Sequence, residues 1–232
     1  MAKITKKVKM TKKEIKHDDI QDKIVDSLGL MKQYAKHIII GALIIFVIVV
    51  MVNSYVKNNR KKEMNANAQL STAISLLNRG RIADALGTIK DVENQYWGTN
   101  AASKSIYYKA LAEFDQRNFD QAMKDAKDAL KTNRKNSFII SYAYHLIGTI
   151  YEQKGDYKSA IENYLPDNYE KKLIKFTIPY AMYDAARCYE KKNELKNAID
   201  LLKKIEAEYK GYSIAKDAMA HREFLEGLVT QI

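Results

Sequence analysis

Residues 144–164 read YHLIGTIYEQKGDYKSAIENY. Tyr144, Ile147, Gly148 and Tyr151 stand at i, i+3, i+4 and i+7, the spacing of one face of an α-helix. After Gly155 the spacing resumes with Tyr157, Ala160 and Tyr164. The stretch therefore reads as two amphipathic helices joined by a tight turn. Gly155 sits where the chain must reverse, and glycine reaches left-handed backbone without a Cβ penalty. Gly148 and Ala160 are small enough for close approach of the two helices, while Tyr151, Tyr157 and Tyr164 fill the space beside them.

The same phrase recurs outward from this unit. Downstream it is Met182, Ala185, Ala186, Tyr189, Asn193, Leu195, Ala198, Leu202 and Ile205, with Asn193 in the turn. Upstream a copy reads Ala73, Leu76, Gly80, Ile82, Ala85, Ile89 and Val92. Between them Tyr107, Ala110, Leu111, Phe114, Phe119, Ala122, Ala126 and Ala129 fit if that turn is one residue shorter. These residues resemble the tetratricopeptide repeat, a helix–turn–helix unit of about 34 residues that buries its apolar face only by stacking on neighbours. Pro166 ends a helix early and Pro179 suits the first turn of the next, which leaves 166–178 (PDNYEKKLIKFTI) as an irregular junction or an extended helix. A final helix from about Ser213 is expected to cap the stack with Ala215, Ala218, Phe224 and Leu225 facing inward.

Ahead of the repeats, Ile38–Val52 (IIIGALIIFVIVVMV) holds no charge or strongly polar group. Extended to Val56 it gives 19 residues, which at ~1.5 Å per residue span a ~30 Å hydrocarbon core. His37 and Lys57 bracket it, and Tyr34 and Tyr55 suit the two interfaces. The run is read as an uncleaved signal-anchor. Residues 1–36 hold ten lysines against five acidic groups, a net of +5, while Lys57, Arg60, Lys61 and Lys62 follow the span. The more basic short tail places the N-terminus in the cytoplasm and the large C-terminal part outside it. Ile20, Ile24, Val25, Leu28 and Met31 fall at helical spacing and suggest an amphipathic stretch leading into the span.

The expected fold class is thus all-α: an N-terminal transmembrane helix, then an α-solenoid of about four tetratricopeptide-like helix pairs and a capping helix. The expected organisation is a lysine-rich cytoplasmic tail over 1–36, a transmembrane helix over 37–57, a basic spacer over 58–65 and the repeats over 66–232. Only 2 prolines and 9 glycines occur in 232 residues, too few for the many turns of a sandwich, barrel or doubly wound sheet.

The residues give no catalytic constellation. His17, His37, His145 and His221 are scattered, no HExxH or glycine-rich phosphate loop occurs, and the single cysteine, Cys188, precludes an internal disulfide. No enzyme activity, cofactor or metal site is expected. The formal charge of +11 is dispersed rather than clustered on one face, so specific nucleic-acid binding is not expected either.

The whole arrangement resembles the bacterial single-span, tetratricopeptide-like proteins of the inner membrane, including the family of the ancillary SecYEG translocon subunit. The tail phrase KITKKVKMTKKEIKHDDIQDKIVDSLGLMKQYAKH and the second-unit phrase YWGTNAASKSIYYKALAEF carry that likeness. The resemblance implies a periplasmic repeat domain that binds exported polypeptides at or near the SecYEG translocon, in company with periplasmic chaperones. Two rival readings remain: a scaffold docking one folded partner in an envelope or secretion assembly, and a membrane-anchored cytosolic receptor with inverted topology.

In a stacked solenoid the first helix of each unit lines the concave surface. Spacing puts Leu70 and Ile74, Tyr108 and Ala112, then Tyr142, His145 and Thr149, then Tyr180, Tyr183 and Arg187 on that face. The protein-binding candidates are Tyr108, Tyr142, His145, Tyr180, Tyr183 and Arg187. Tyrosine has few torsions to freeze and offers both a ring and a hydroxyl, which suits adaptable peptide contact. The competing role for each is to pack beneath the next unit.

Overall fold

The computed structural model describes residues 12–230, and α-helices are the only regular elements among them. They are α1 (Lys12–Asn78), α2 (Ile82–Gln95), α3 (Asn100–Asp115), α4 (Phe119–Thr132), α5 (Ser137–Gln153), α6 (Tyr157–Tyr164), α7 (Tyr169–Lys172), α8 (Ile178–Lys191), α9 (Leu195–Glu208) and α10 (Ile214–Val229). The chain divides between Asn59 and Arg60 into two units. In the first, the side chains of Ile38–Ile40 and Leu43–Val52 are all exposed, and α1 is the one helix among the described residues long and apolar enough to cross a membrane. Ile24 and Leu28 of the expected amphipathic stretch are exposed as well. Residues 1–11 of the lysine-rich tail and the side chains of Ile20, Val25 and Met31 lie outside the described residues.

In the second unit, four turns set the architecture. Each places one residue in left-handed backbone just past a helix end: Gly80 (φ 73°), Arg117 (φ 62°), Gly155 (φ 76°) and Asn193 (φ 59°). One hydrogen-bond pattern closes all four. The N–H of the following residue reaches back five positions, from Arg81 to Leu76 O (2.9 Å), Asn118 to Glu113 O (2.9 Å), Asp156 to Tyr151 O (3.0 Å) and Glu194 to Tyr189 O (2.9 Å). The left-handed residue itself donates to the carbonyl three positions back, which completes a Schellman motif. The second turn is therefore as long as the others, contrary to expectation; Arg117 holds the position of Gly155, and a long side chain gave no turn signal.

Small residues repeat in register with these turns. Seven positions before the left-handed residue stand Ala73, Ala110, Gly148 and Ala186, and five after it Ala85, Ala122, Ala160 and Ala198, all buried. These pairs set how closely the helices of each pair approach. Nine positions after the turn come Ile89, Ala126, Tyr164 and Leu202, also buried. Each fully buried Ile or Leu contributes roughly 1.5–3 kcal/mol. The pair α5–α6 carries the largest of these, Tyr164, against the smallest partner, Gly148. A Cβ on Gly148 would lie 2.7 Å from Cδ1 and Cε1 of Tyr164.

The stack begins earlier than the alanine pattern suggested. Residues 58–65, expected as a spacer, are helical within α1. Glu63 accepts hydrogen bonds from the N–H groups of Asn100 (2.7 Å) and Ala101 (3.0 Å) at the start of α3, and the Lys62 ammonium donates to Trp97 O at 2.8 Å. A carboxylate at that end satisfies orphan donors and complements the helix dipole. At the other end α10 buries Ala215, Ala218 and Leu225, but Phe224 is 59% exposed rather than facing the stack. At ~100° per residue the inward face passes instead through Arg222, which binds Glu206 of α9 at 2.6 Å.

Candidate functional site

α6 stops at Tyr164, and Pro166 cannot continue it. The chain then makes the short α7 and returns through Leu173–Thr177 to α8, whose first turn holds Pro179. This detour is longer than the other links between units, and it covers one end of the space between α5 and α8. Ser141 Oγ of α5 anchors it by accepting a hydrogen bond from the N–H of Ile174 at 2.8 Å, while Leu173 is buried beneath.

The result is a cavity of about 310 Å³, at the small end of the ~300–1,000 Å³ range of ligand pockets. Its walls are Ser141, Tyr142 and His145 from α5, Tyr164 from α6, Leu173, Phe176 and Thr177 from the link, and Tyr180 and Ala181 from α8. The rings of Tyr142, Phe176 and Tyr180 remain exposed at 38%, 43% and 39%, so the mouth is aromatic. Phe138, also exposed, extends it with its ring 6.4 Å from that of Phe176.

A charged network lies to one side. His145 Nε2 is 2.8 Å from Asp184 Oδ2, and Arg187 reaches Asp184 (2.9 Å) and Glu152 (3.2 Å). The Tyr164 hydroxyl lies 2.7 Å from Glu152 Oε2 and 3.2 Å from Thr149 Oγ1, and burial raises the pKa of its phenol. These bonds fix the floor while the pocket wall stays apolar. Cys188 is fully buried below, and burial, reinforced by Glu152 and opposed by Arg187, pushes its thiol up to about 12. That is the setting of a packing residue.

The six residues singled out by spacing do not share one environment. Tyr142, His145 and Tyr180 meet around the cavity. Tyr183 is half-buried, its ring edge-on to His221 at 5.6 Å, and Arg187 is committed to the two carboxylates. Tyr108 packs between the first two helix pairs (the end of α1 with α2, and α3 with α4), its phenol raised by burial and then by Tyr142. Leu70 and Ala112, expected on the concave face, are buried between helix pairs. Sequence reasoning missed Leu173, Phe176 and Thr177; the two prolines bracketing 166–178 were the available signal. It also missed Asp184 and Glu152, which look like ordinary helix-surface acids.

The tetratricopeptide repeat-like domain family matches residues 30–172, and a tetratricopeptide repeat matches 180–211. The chain belongs to the tetratricopeptide repeat-like family, whose fold is a protein-interaction scaffold and typically not a catalytic one. Among solved structures, a crystal structure of MamA protein is similar over 63% of this chain and 74% of that one, with 24% identity and a TM-score of 0.50. A Podosopora anserina protein of kinesin-light-chain type, with nearly identical TPR-like repeats, is similar over 72% and 92%, with 15% identity and a TM-score of 0.53. At those identities the likeness is one of fold. The search of curated proteins returned no match.

Proposed function

We propose that this is a membrane-anchored peptide-binding protein that holds segments of exported polypeptides in the groove between α5 and α8, at or near the SecYEG translocon. The observation that carries the binding step is the apolar cavity whose mouth keeps the Tyr142, Phe176 and Tyr180 rings exposed. Exposed rings around a preformed apolar pocket are a default binding-site arrangement. Anchoring is supported by the exposed apolar run Ile38–Val52, which the family match beginning at residue 30 includes. The translocon, the inner membrane, a cytoplasmic N-terminus and a periplasmic repeat domain come from the family resemblance and the lysine asymmetry of the tail.

Photo-crosslinking in cells from p-benzoylphenylalanine at position 142 tests this reading. Many unrelated exported chains together with translocon subunits are the expected adducts. One dominant envelope partner would replace client binding by docking of a folded partner. Cytosolic adducts would invert the topology.

A further inference from the structure

Beside the aromatic pocket the groove is acidic, although the chain as a whole carries +11. His145, a wall of the pocket, contacts Asp184, which stands one helical turn after Tyr180 on α8. Tyr183 is the next groove residue, and its phenol is raised first by burial and then by the carboxylates of Asp217, Asp184 and Glu190, with Arg187 alone opposing them. Arg187 is itself shared between Asp184 and Glu152. Glu190 is paired with His221, at 2.9 Å. Asp217, on α10, is exposed and takes part in no salt bridge among the described residues. The path from pocket to α10 therefore presents four carboxylates against one guanidinium and two histidines.

We infer that the groove selects an extended peptide in which an apolar side chain, seated among Tyr142, Phe176 and Tyr180, is flanked by lysine or arginine lying toward Asp184 and Asp217. This rests on the peptide-binding reading above and adds the chemistry of the ligand. The apolar side chain leaves water for an aromatic wall, and its cationic neighbour meets the unpaired Asp217 and a groove whose four carboxylates outnumber its one guanidinium, together with tyrosine faces. A segment with acidic flanks gains the same pocket contact but brings like charge against like, so it is disfavoured rather than merely neglected.

The test uses the full-length chain in lipid nanodiscs and three fluorescein-labelled peptides that differ only at the core: Leu-Lys-Lys, Leu-Glu-Glu and Ser-Lys-Lys within a Gly-Ser frame. Fluorescence anisotropy at low salt should show the first bound at least about fivefold tighter than either twin. The gap to the acidic twin should close as salt rises, because exposed charges are screened within ~8 Å at physiological strength. Asp217→Asn changes an exposed side chain and should narrow the lysine-over-glutamate ratio without weakening the leucine-over-serine ratio. Tyr180→Ser should do the reverse.

Equal binding of the lysine and glutamate peptides, with leucine still preferred over serine, would overturn the charge selection while leaving peptide binding in place. No binding of any of the three would overturn both. Self-association that excludes the peptides and is relieved by Tyr142→Ser would assign the groove to a second copy of the chain and overturn the proposal.

Discussion

Gly148 and Tyr164 act as one size-matched pair. The ring occupies the space into which a Cβ at 148 would project, 2.7 Å away, and the Tyr164 hydroxyl is held by Glu152 and Thr149. The far ring edge is therefore pinned and cannot swing aside. Gly148→Ala is expected to destabilise the chain by about 1–3 kcal/mol through overpacking, even though alanine favours helix. Urea unfolding followed by circular dichroism would measure it, and an unchanged midpoint would show that the ring yields. Arg117 gives the opposite case, since an L-residue in left-handed backbone costs roughly 1–2 kcal/mol. Arg117→Gly should raise stability by about 1 kcal/mol or slightly less, the unfolded chain gaining some entropy in return. A lower midpoint would mean that the arginine side chain supplies packing that outweighs its backbone strain.

At the scale of elements, the link from Leu165 to Thr177 breaks the repeat and thereby makes the pocket. Other units pass directly from one helix pair to the next, whereas here Pro166 shortens α6 and the returning chain supplies Leu173, Phe176 and Thr177. Its hydrogen bond to α5 is the contact between Ile174 N–H and Ser141 Oγ, and Ser141 also donates to Ser137 O at 2.8 Å. Ser141→Ala leaves that N–H without its partner in a half-buried setting, at about 1 kcal/mol. The expected effect is local: faster amide exchange across 166–178, little change elsewhere, and weaker binding of any ligand seated against Phe176. Uniform loss of protection over all the helices would instead make this bond part of the global fold.

The solenoid as a whole is held by cores shared between successive pairs, with exposed ion pairs bridging helices along its surface. Lys204 bonds Glu170, Lys203 bonds Glu226, and Lys154 bonds Asp120, each joining one helix to another. These lysines hold Glu170, Glu226 and Asp120 below the ordinary carboxylate values of 4.5, 4.5 and 3.8. A depressed folded pKa contributes stability that is present above the unfolded value and lost as pH falls through the folded one. Glu93 and Asp115, raised by burial, work in the opposite sense and offset part of it. The thermal midpoint should therefore stay level from about pH 7 to 5 and decline below 4.5. High salt should flatten the decline because the pairs are exposed. A midpoint that rises on acidification would mean that Glu93 and Asp115 dominate.

Helix content, the apolar run and three of the four turns were readable because each depends on local spacing or on a residue type with one conformational use. Gly80, Gly155 and Asn193 announce left-handed backbone; Arg117 does not, and hydrogen bonds from Arg117 and Asn118 to the preceding helix hold it there. Tyr142, His145 and Tyr180 were reachable from the sequence because one helical face fixes their direction. Which tyrosines of that face stay open was decided by tertiary packing: Tyr108 is wedged between helix pairs, Tyr183 lies edge-on against His221, and Leu70 and Ala112 are covered. The same holds for Phe224, whose outward position follows from where α9 lies rather than from its own hydrophobicity. The pocket itself joins residues from α5, α6, α8 and an irregular link, and periodicity within one helix carries no information about the distance between two of them. The repeats were therefore determined by sequence, through local spacing and size, whereas the groove exists only where non-repeating chain folds back across them.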